Sequence, residues 1–165
     1  MMKNIKLTRV DFRLIHGQVM TRWVVNLGIT KIVVIDDNSA HNPIFSRILV
    51  NAVPNGTVVN VYDQDSAIKK WNEDHFGDGN ILLLFKDIKT AKKIWEEGLE
   101  FTDMQIGGIG GAAGQKNVYK QVVMSKEDYD RLKVLYNGGV NIYLQPIPED
   151  RPYPFSNIIE KKVFE

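Results

Sequence analysis

Asn4-Ile5-Lys6-Leu7-Thr8-Arg9-Val10 is followed by Asp11-Phe12-Arg13-Leu14-Ile15-His16, and then by Gly17-Gln18-Val19-Met20-Thr21-Arg22-Trp23-Val24-Val25-Asn26-Leu27. The first segment reads as a strand. The last reads as a helix, because Val19, Met20, Trp23, Val24 and Leu27 fall on one face at helical spacing. Gly28 is placed to end it. A strand that feeds a helix through a short polar junction is the opening half of a crossover unit.

The same alternation continues outward. Lys31 to Ile35 is a short β-branched run, as in a buried strand. Pro43 suits the first turn of a helix carrying Ile44, Ile48, Leu49 and Ala52, and Pro54-Asn55-Gly56 stops it. Thr57 to Tyr62 reads as a strand, Ser66 to Phe76 as a helix and Gly77-Asp78-Gly79 as a turn. Ile81 to Phe85 is a wholly apolar strand, and Asp87 to Glu97 a helix ended by Gly98. Asp103 to Ile106 is a strand, Gly107 to Gly114 a glycine-rich loop, and Val118 to Met124 a further strand. Ser125 with Asp128 forms a capping pattern before a helix through Tyr129, Leu132, Leu135 and Tyr136. Val140 to Gln145 is the last strand. This spacing predicts an α/β fold: an open, mostly parallel twisted sheet with helices on both faces. We expect a single domain over residues 1–165, in which 146–165, holding four of the six prolines, is a surface-wrapping tail.

Composition narrows the function. Of 165 residues, 44% are hydrophobic and 25% charged, which excludes a disordered chain. The formal net charge is +1 and no basic block stands out, so nucleic acid is not an expected partner. There is no cysteine, which removes disulfides and thiolate metal sites. No apolar run approaches the roughly 20 residues of a membrane-spanning helix. The first residues lack the apolar stretch of a signal peptide. A cytoplasmic protein that meets the membrane only through partners is therefore expected.

The junction Asp11 to His16 carries the chemistry. Open parallel sheets place ligands beyond the carboxyl ends of their strands, where the strand order switches. The first turn of the following helix exposes unpaired amides, and with the helix dipole these attract anions. Gly17 and Gln18 occupy that turn, and Gly17 has no Cβ to hold an anion away. A neutral imidazole has one unprotonated nitrogen and attacks phosphorus readily. The helix start disfavours positive charge on His16 and, once the residue is phosphorylated, stabilises about two negative charges. Arg13 offers a planar fork to phosphate oxygens. Asp11 can hold either the Arg13 guanidinium or the second nitrogen of His16.

Val10 to Val19, with Thr21-Arg22-Trp23 after it, resembles the phosphorylation-site signature of the mannose/fructose/sorbose family IIB proteins of the sugar phosphotransferase system. Val34-Ile35-Asp36-Asp37, Ala52-Val53-Pro54-Asn55-Gly56, Leu84-Phe85-Lys86, Gly98-Leu99, Ile106-Gly107-Gly108 and Ile147-Pro148-Glu149-Asp150 resemble later landmarks in the same order. The resemblance implies a phosphotransferase. A IIA domain, charged from the general phosphocarrier protein, would phosphorylate His16 on Nδ1. The phosphoryl group would then pass to a sugar held by the membrane components IIC and IID. Arg13 matches the family's active-site arginine. Two positions depart from the pattern: Phe12 stands where a second aspartate is frequent, and Gln105 where asparagine often precedes the Gly-Gly.

Other residues weigh less. Lys86 ends the apolar strand and is a candidate phosphate ligand or a loop lysine. Asp36 and Asp37 read as caps. Gly108 to Ala113 has the letters of a dinucleotide fingerprint without the helix that must follow, so a nucleotide cofactor is not expected. No metal is expected either. His41 and His75 lack neighbours at ligand spacing, and Trp23, Trp71 and Trp95 sit on apolar helix faces. The competing reading is a non-catalytic regulatory or interaction module on the same fold.

Overall fold

The computed structural model describes residues 4–165. Its main sheet has seven strands: β1 (Ile5–Asp11), β2 (Lys31–Ile35), β3 (Val58–Tyr62), β4 (Ile81–Phe85), β5 (Asp103–Gly108), β8 (Asn141–Leu144) and β9 (Tyr153–Pro154). Their order is β3-β2-β4-β1-β5-β8-β9. All neighbours are parallel except β8 and β9. β6 (Lys116–Tyr119) and β7 (Val122–Met124) form a separate antiparallel hairpin.

The helices are α1 (Gly17–Leu27), α2 (Asp37–Ala40), α3 (Pro43–Asn51), α4 (Gln64–Asp74), α5 (Ile88–Glu96), α6 (Lys126–Asn137) and α7 (Phe155–Glu160). β4 shows how they divide. All five of its residues are fully buried; Leu82 and Leu84 belong to one apolar cluster, and Ile81, Leu83 and Phe85 to another. Alternate side chains point to opposite faces, so both faces are covered. Met20, Trp23 and Val24 of α1 and Leu49 of α3 fill the first cluster. Side chains of α4, α5, α6 and α7 fill the second. The chain moves outward from β1 to β2 and β3, then returns through β4 to β5. Crossovers of constant hand put the helices of those two directions on opposite faces. β1 lies between β4 and β5, whose crossovers leave for the other face, so its carboxyl end opens into the switch-point crevice.

Local chemistry sets the helix ends. Asp36, Asn42, Asp63, Asp87 and Ser125 each cap the helix that follows with a side-chain oxygen. Gly28 ends α1 in the left-handed region at φ 61°.

Two expectations need correction. The stretch from Val118 to Met124 is not one strand; it belongs to the β6–β7 hairpin, which turns at Lys120 with φ 53°. Asp36, read as a cap, does cap the short α2, an element with no sequence period of its own. The tail is more than a surface wrap: β9 extends the sheet, and α7 buries Phe155 and Ile158 in the core.

Candidate functional site

The junction after β1 is built around one carboxylate. Asp11, the last residue of β1, is fully buried. Its Oδ1 accepts from the Arg13 backbone N–H at 3.1 Å and from Arg13 Nε at 3.2 Å. Its Oδ2 accepts from Arg9 Nη2 at 3.1 Å and from His16 Nε2 at 3.0 Å. Burial works strongly against charge on Asp11. The His16 hydrogen bond, the Arg9 charge and the Arg13 amide outweigh it and hold the carboxyl at about 2, well below its usual range. Asp11 is thus an ionised acceptor at neutral pH, and a carboxylate has no proton to donate. The shared proton therefore belongs to His16 Nε2, and in the neutral ring the lone pair falls on Nδ1.

Backbone geometry places that ring. Leu14 N–H bonds Asp11 O at 2.9 Å in a tight turn, and Leu14 sits at φ 58°. A leucine there is strained, and its side chain is held among Ile15, Met20 and Trp23 in the core. His16 is the N-cap of α1 and makes no side-chain cap bond, and the first turn holds no acidic residue. The anion-attracting start of α1 is therefore left without a cap of its own. Gly17 has φ 50°, which favours glycine, and an added Cβ would meet nothing within 4 Å. Its value within the chain is conformational, since the added Cβ meets no protein atom.

Arg13 lies at the mouth. Its side chain is 46% exposed, and among the described residues Nε bonds Asp11 while both Nη nitrogens make no hydrogen bond. Its guanidinium carbon stands 5.3 Å from the centre of the Phe12 ring. Together, a fixed carboxylate, an imidazole with one open nitrogen, a spare guanidinium and an uncapped helix start can receive, hold and release a phosphoryl group.

The PTS system sorbose subfamily IIB component family matches residues 5–165. The chain belongs to that IIB family. Its fold is similar to that of manxB from Thermoanaerobacter tengcongensis, 35% identical with a TM-score of 0.89, covering 98% of this chain and 97% of that one. It is also similar to the IIBSor domain of the sorbose permease from Klebsiella pneumoniae, 26% identical with a TM-score of 0.90, covering 98% and 99%. The mannose-specific EIIAB component of Escherichia coli strain K12 is 27% identical over 157 residues, 95% of this chain. The present chain spans about half the length of that relative, 49% of it.

In this IIB chain, Asp11 holds both Arg13 and His16, so the two roles foreseen as alternatives coexist. Gln18 is exposed in the first turn of α1. Lys86 follows Phe85, the last residue of β4, whose ladder partner Val10 immediately precedes Asp11. Among the described residues it makes no hydrogen bond or ion pair with Asp11, Arg13 or His16. Asp36 caps α2 through Ser39, and Asp37 accepts from the Gln64 backbone and side chain at 2.9 and 3.0 Å. Gly107 and Gly108 belong to β5, not to a loop. Phe12 covers Gly108 and Gly110.

The residue that sequence reasoning missed is Arg9. It is fully buried. Nη1 donates to Gln105 Oε1 and to the Gln145 carbonyl at 3.0 Å, and Nη2 to Asp11 and to the Pro146 carbonyl at 2.8 Å. The Trp23 ring lies 5.5 Å from its guanidinium carbon. Gln105, noted only as a departure, is its partner. The available signal was an arginine inside a strand flanked on both sides, where a charge must be paired. Gly107 makes the room: a Cβ there would lie 2.1 Å from Arg9 Nη2 and 2.2 Å from its Cζ. Gly107→Ala is therefore expected to destabilise the fold by about 1–3 kcal/mol, the cost of overpacking, read as a lower urea midpoint. An unchanged midpoint would show that Arg9 moves aside freely.

Proposed function

We propose that this IIB chain is a phosphocarrier of a mannose-family sugar phosphotransferase system, relaying phosphorus through His16. The observation that carries it is the orientation of the imidazole. Asp11 engages Nε2, so the lone pair of the neutral ring falls on Nδ1, at the residue that caps the start of α1.

The step follows from that geometry. The Nδ1 lone pair attacks the phosphorus carried by IIA, the N–P bond forms, and the bond to the donor breaks with its electron pair returning to IIA. The ring gains positive charge while keeping the Nε2 proton, and the Asp11 carboxylate offsets that charge. In the second transfer a sugar hydroxyl attacks the same phosphorus. The P–N pair returns to Nδ1, and the hydroxyl proton leaves to a base outside this chain. His16 then regains its starting tautomer without a proton change at Nε2. The work is positioning and charge stabilisation, which suits phosphoryl transfer. Gly17, Gln18 and Lys86 are the remaining candidate phosphate contacts. IIA, IIC and IID are the partners this role requires, and the sugar is held by the membrane components. No helix among the described residues is long and apolar enough to cross a membrane.

The test is phosphorylation from phosphoenolpyruvate with the general components and a IIA protein. Acid-labile, base-stable label is expected, and long-range proton–nitrogen spectra should place phosphorus on Nδ1. Label on Nε2, or none, overturns the reading. Arg13→Ala is expected to slow transfer by ~10²–10³, as loss of a charge-stabilising donor does. The fold should survive, because that side chain is half exposed. An unchanged single-turnover rate would remove Arg13 from the step.

A further inference from the structure

Arg9 takes no part in the step just described, yet it is a fully enclosed charge paired with the Asp11 carboxylate. We infer that Arg9 is a positioning residue: by occupying Asp11 Oδ2 beside His16 Nε2, it fixes the carboxylate that sets the imidazole tautomer. The inference rests on the phosphocarrier reading and adds a division of labour between two arginines.

The argument is geometric. Four donors converge on Asp11, two to each oxygen. One of them, Arg13 Nε, belongs to a half-exposed side chain whose Nη nitrogens make no hydrogen bond among the described residues. When Arg13 turns to phosphate, its side-chain bond to Oδ1 is the one given up. The backbone amide of Arg13 and the buried Arg9 then hold the carboxylate. Arg9 can do so because four bonds seat it. Both Nη nitrogens are doubly engaged, Nη2 by β1 and the Pro146 carbonyl, Nη1 by β5 and the Gln145 carbonyl that follows β8. The Trp23 ring of α1 closes a further side. A freed carboxylate could rotate or accept a different proton, and His16 could then carry its hydrogen on Nδ1, which blocks attack. Lysine cannot substitute, because one ammonium nitrogen does not span a carboxylate and two separate carbonyls.

The experiment reads the tautomer first, which needs no partner protein. Chains labelled with nitrogen-15 histidine are compared as wild type, Arg9→Met and Arg9→Lys. Wild type is expected to show His16 protonated on Nε2. Arg9→Met should show a mixed population, and Arg9→Lys should fall between them. In single turnover from phosphorylated IIA, kcat is expected to fall about 10–100-fold in Arg9→Met, with KM for IIA unchanged, as for loss of a tautomer-fixing contact. Should Arg9→Met fail to fold, Gly107→Ala decides the question, because its new Cβ displaces Nη2 while leaving the charge in place. A folded variant with the wild-type tautomer and the wild-type kcat per folded molecule overturns the inference and leaves Arg9 a purely structural residue. Failure of the wild type to accept phosphorus would instead overturn the function, and the tautomer result would still stand.

Discussion

His16→Ala is expected to take up no phosphoryl label under conditions that label the wild type to near one equivalent. The substitution removes the imidazole, the nucleophile of the proposed step, so no partial route remains. Arg13 is a cation and Asp11 is buried, and neither can take the group in its place. The fold should be retained, because the His16 side chain is 21% exposed and makes one side-chain bond. The internal controls are His41→Ala and His75→Ala. His41 Nε2 lies 3.0 Å from Asp63, so a histidine–carboxylate pair recurs there. That pair is exposed and has no arginine on the carboxylate, and His41 ends a helix where His16 begins one. His75 stacks on Trp71 at 4.1 Å. Both controls should label as the wild type does. Residual label on His16→Ala that vanishes in a double variant with His41→Ala would place the acceptor elsewhere.

Asp11→Asn should be the most damaging single change to stability. It keeps the shape and removes the charge, leaving Arg9 buried without a counter-ion. Breaking a buried pair in this way costs about 3–5 kcal/mol. The amide also offers a donor where the site needs acceptors on all four sides. The imidazole then loses its tautomer preference, and transfer should fall by ~10³ or more, as when a histidine-orienting carboxylate is neutralised elsewhere. The pH dependence supplies a second measurement. The folded carboxyl sits at about 2, against an ordinary value of 3.8. A depressed folded value means that the unfolded chain binds the proton first. The stabilisation is therefore complete above about pH 4 and fades as pH falls toward 2, an effect on the order of 2 kcal/mol. Asp11→Asn should lose that part of the acid slope. A parallel slope in the two proteins would show that Asp11 is not held ionised by its neighbours.

Much of this was legible in the sequence because the signals are periodic. The runs 17–27, 31–35 and 81–85 were bounded correctly, since an amphipathic helix and apolar β-branched strands announce themselves. Leu27 was the misfit on its helix face, being 38% exposed. Other parts lacked a local signal. α2 has four residues, too few for a period, and exists because Asp36 caps it. The β6–β7 turn uses Lys120 at positive φ, with no glycine or asparagine there to mark it. α7 has six residues and is held by two buried side chains rather than by propensity. His16, Arg13 and Asp11 could be found because they are close in sequence. Arg9 could not be read in the same way, since its partners at 105, 145 and 146 lie 96, 136 and 137 positions further along the chain.

That distance has a consequence for biogenesis. Arg9 and His16 leave the ribosome close together, but the carbonyls that seat Arg9 arrive 136 and 137 positions after it. Until they do, a nascent chain holds an arginine it cannot enclose, and the relay has no rigid floor. Competence is thus tied to completed synthesis through residue 146, and fragments that stop short of it should neither fold cooperatively nor draw phosphorus away from intact carriers.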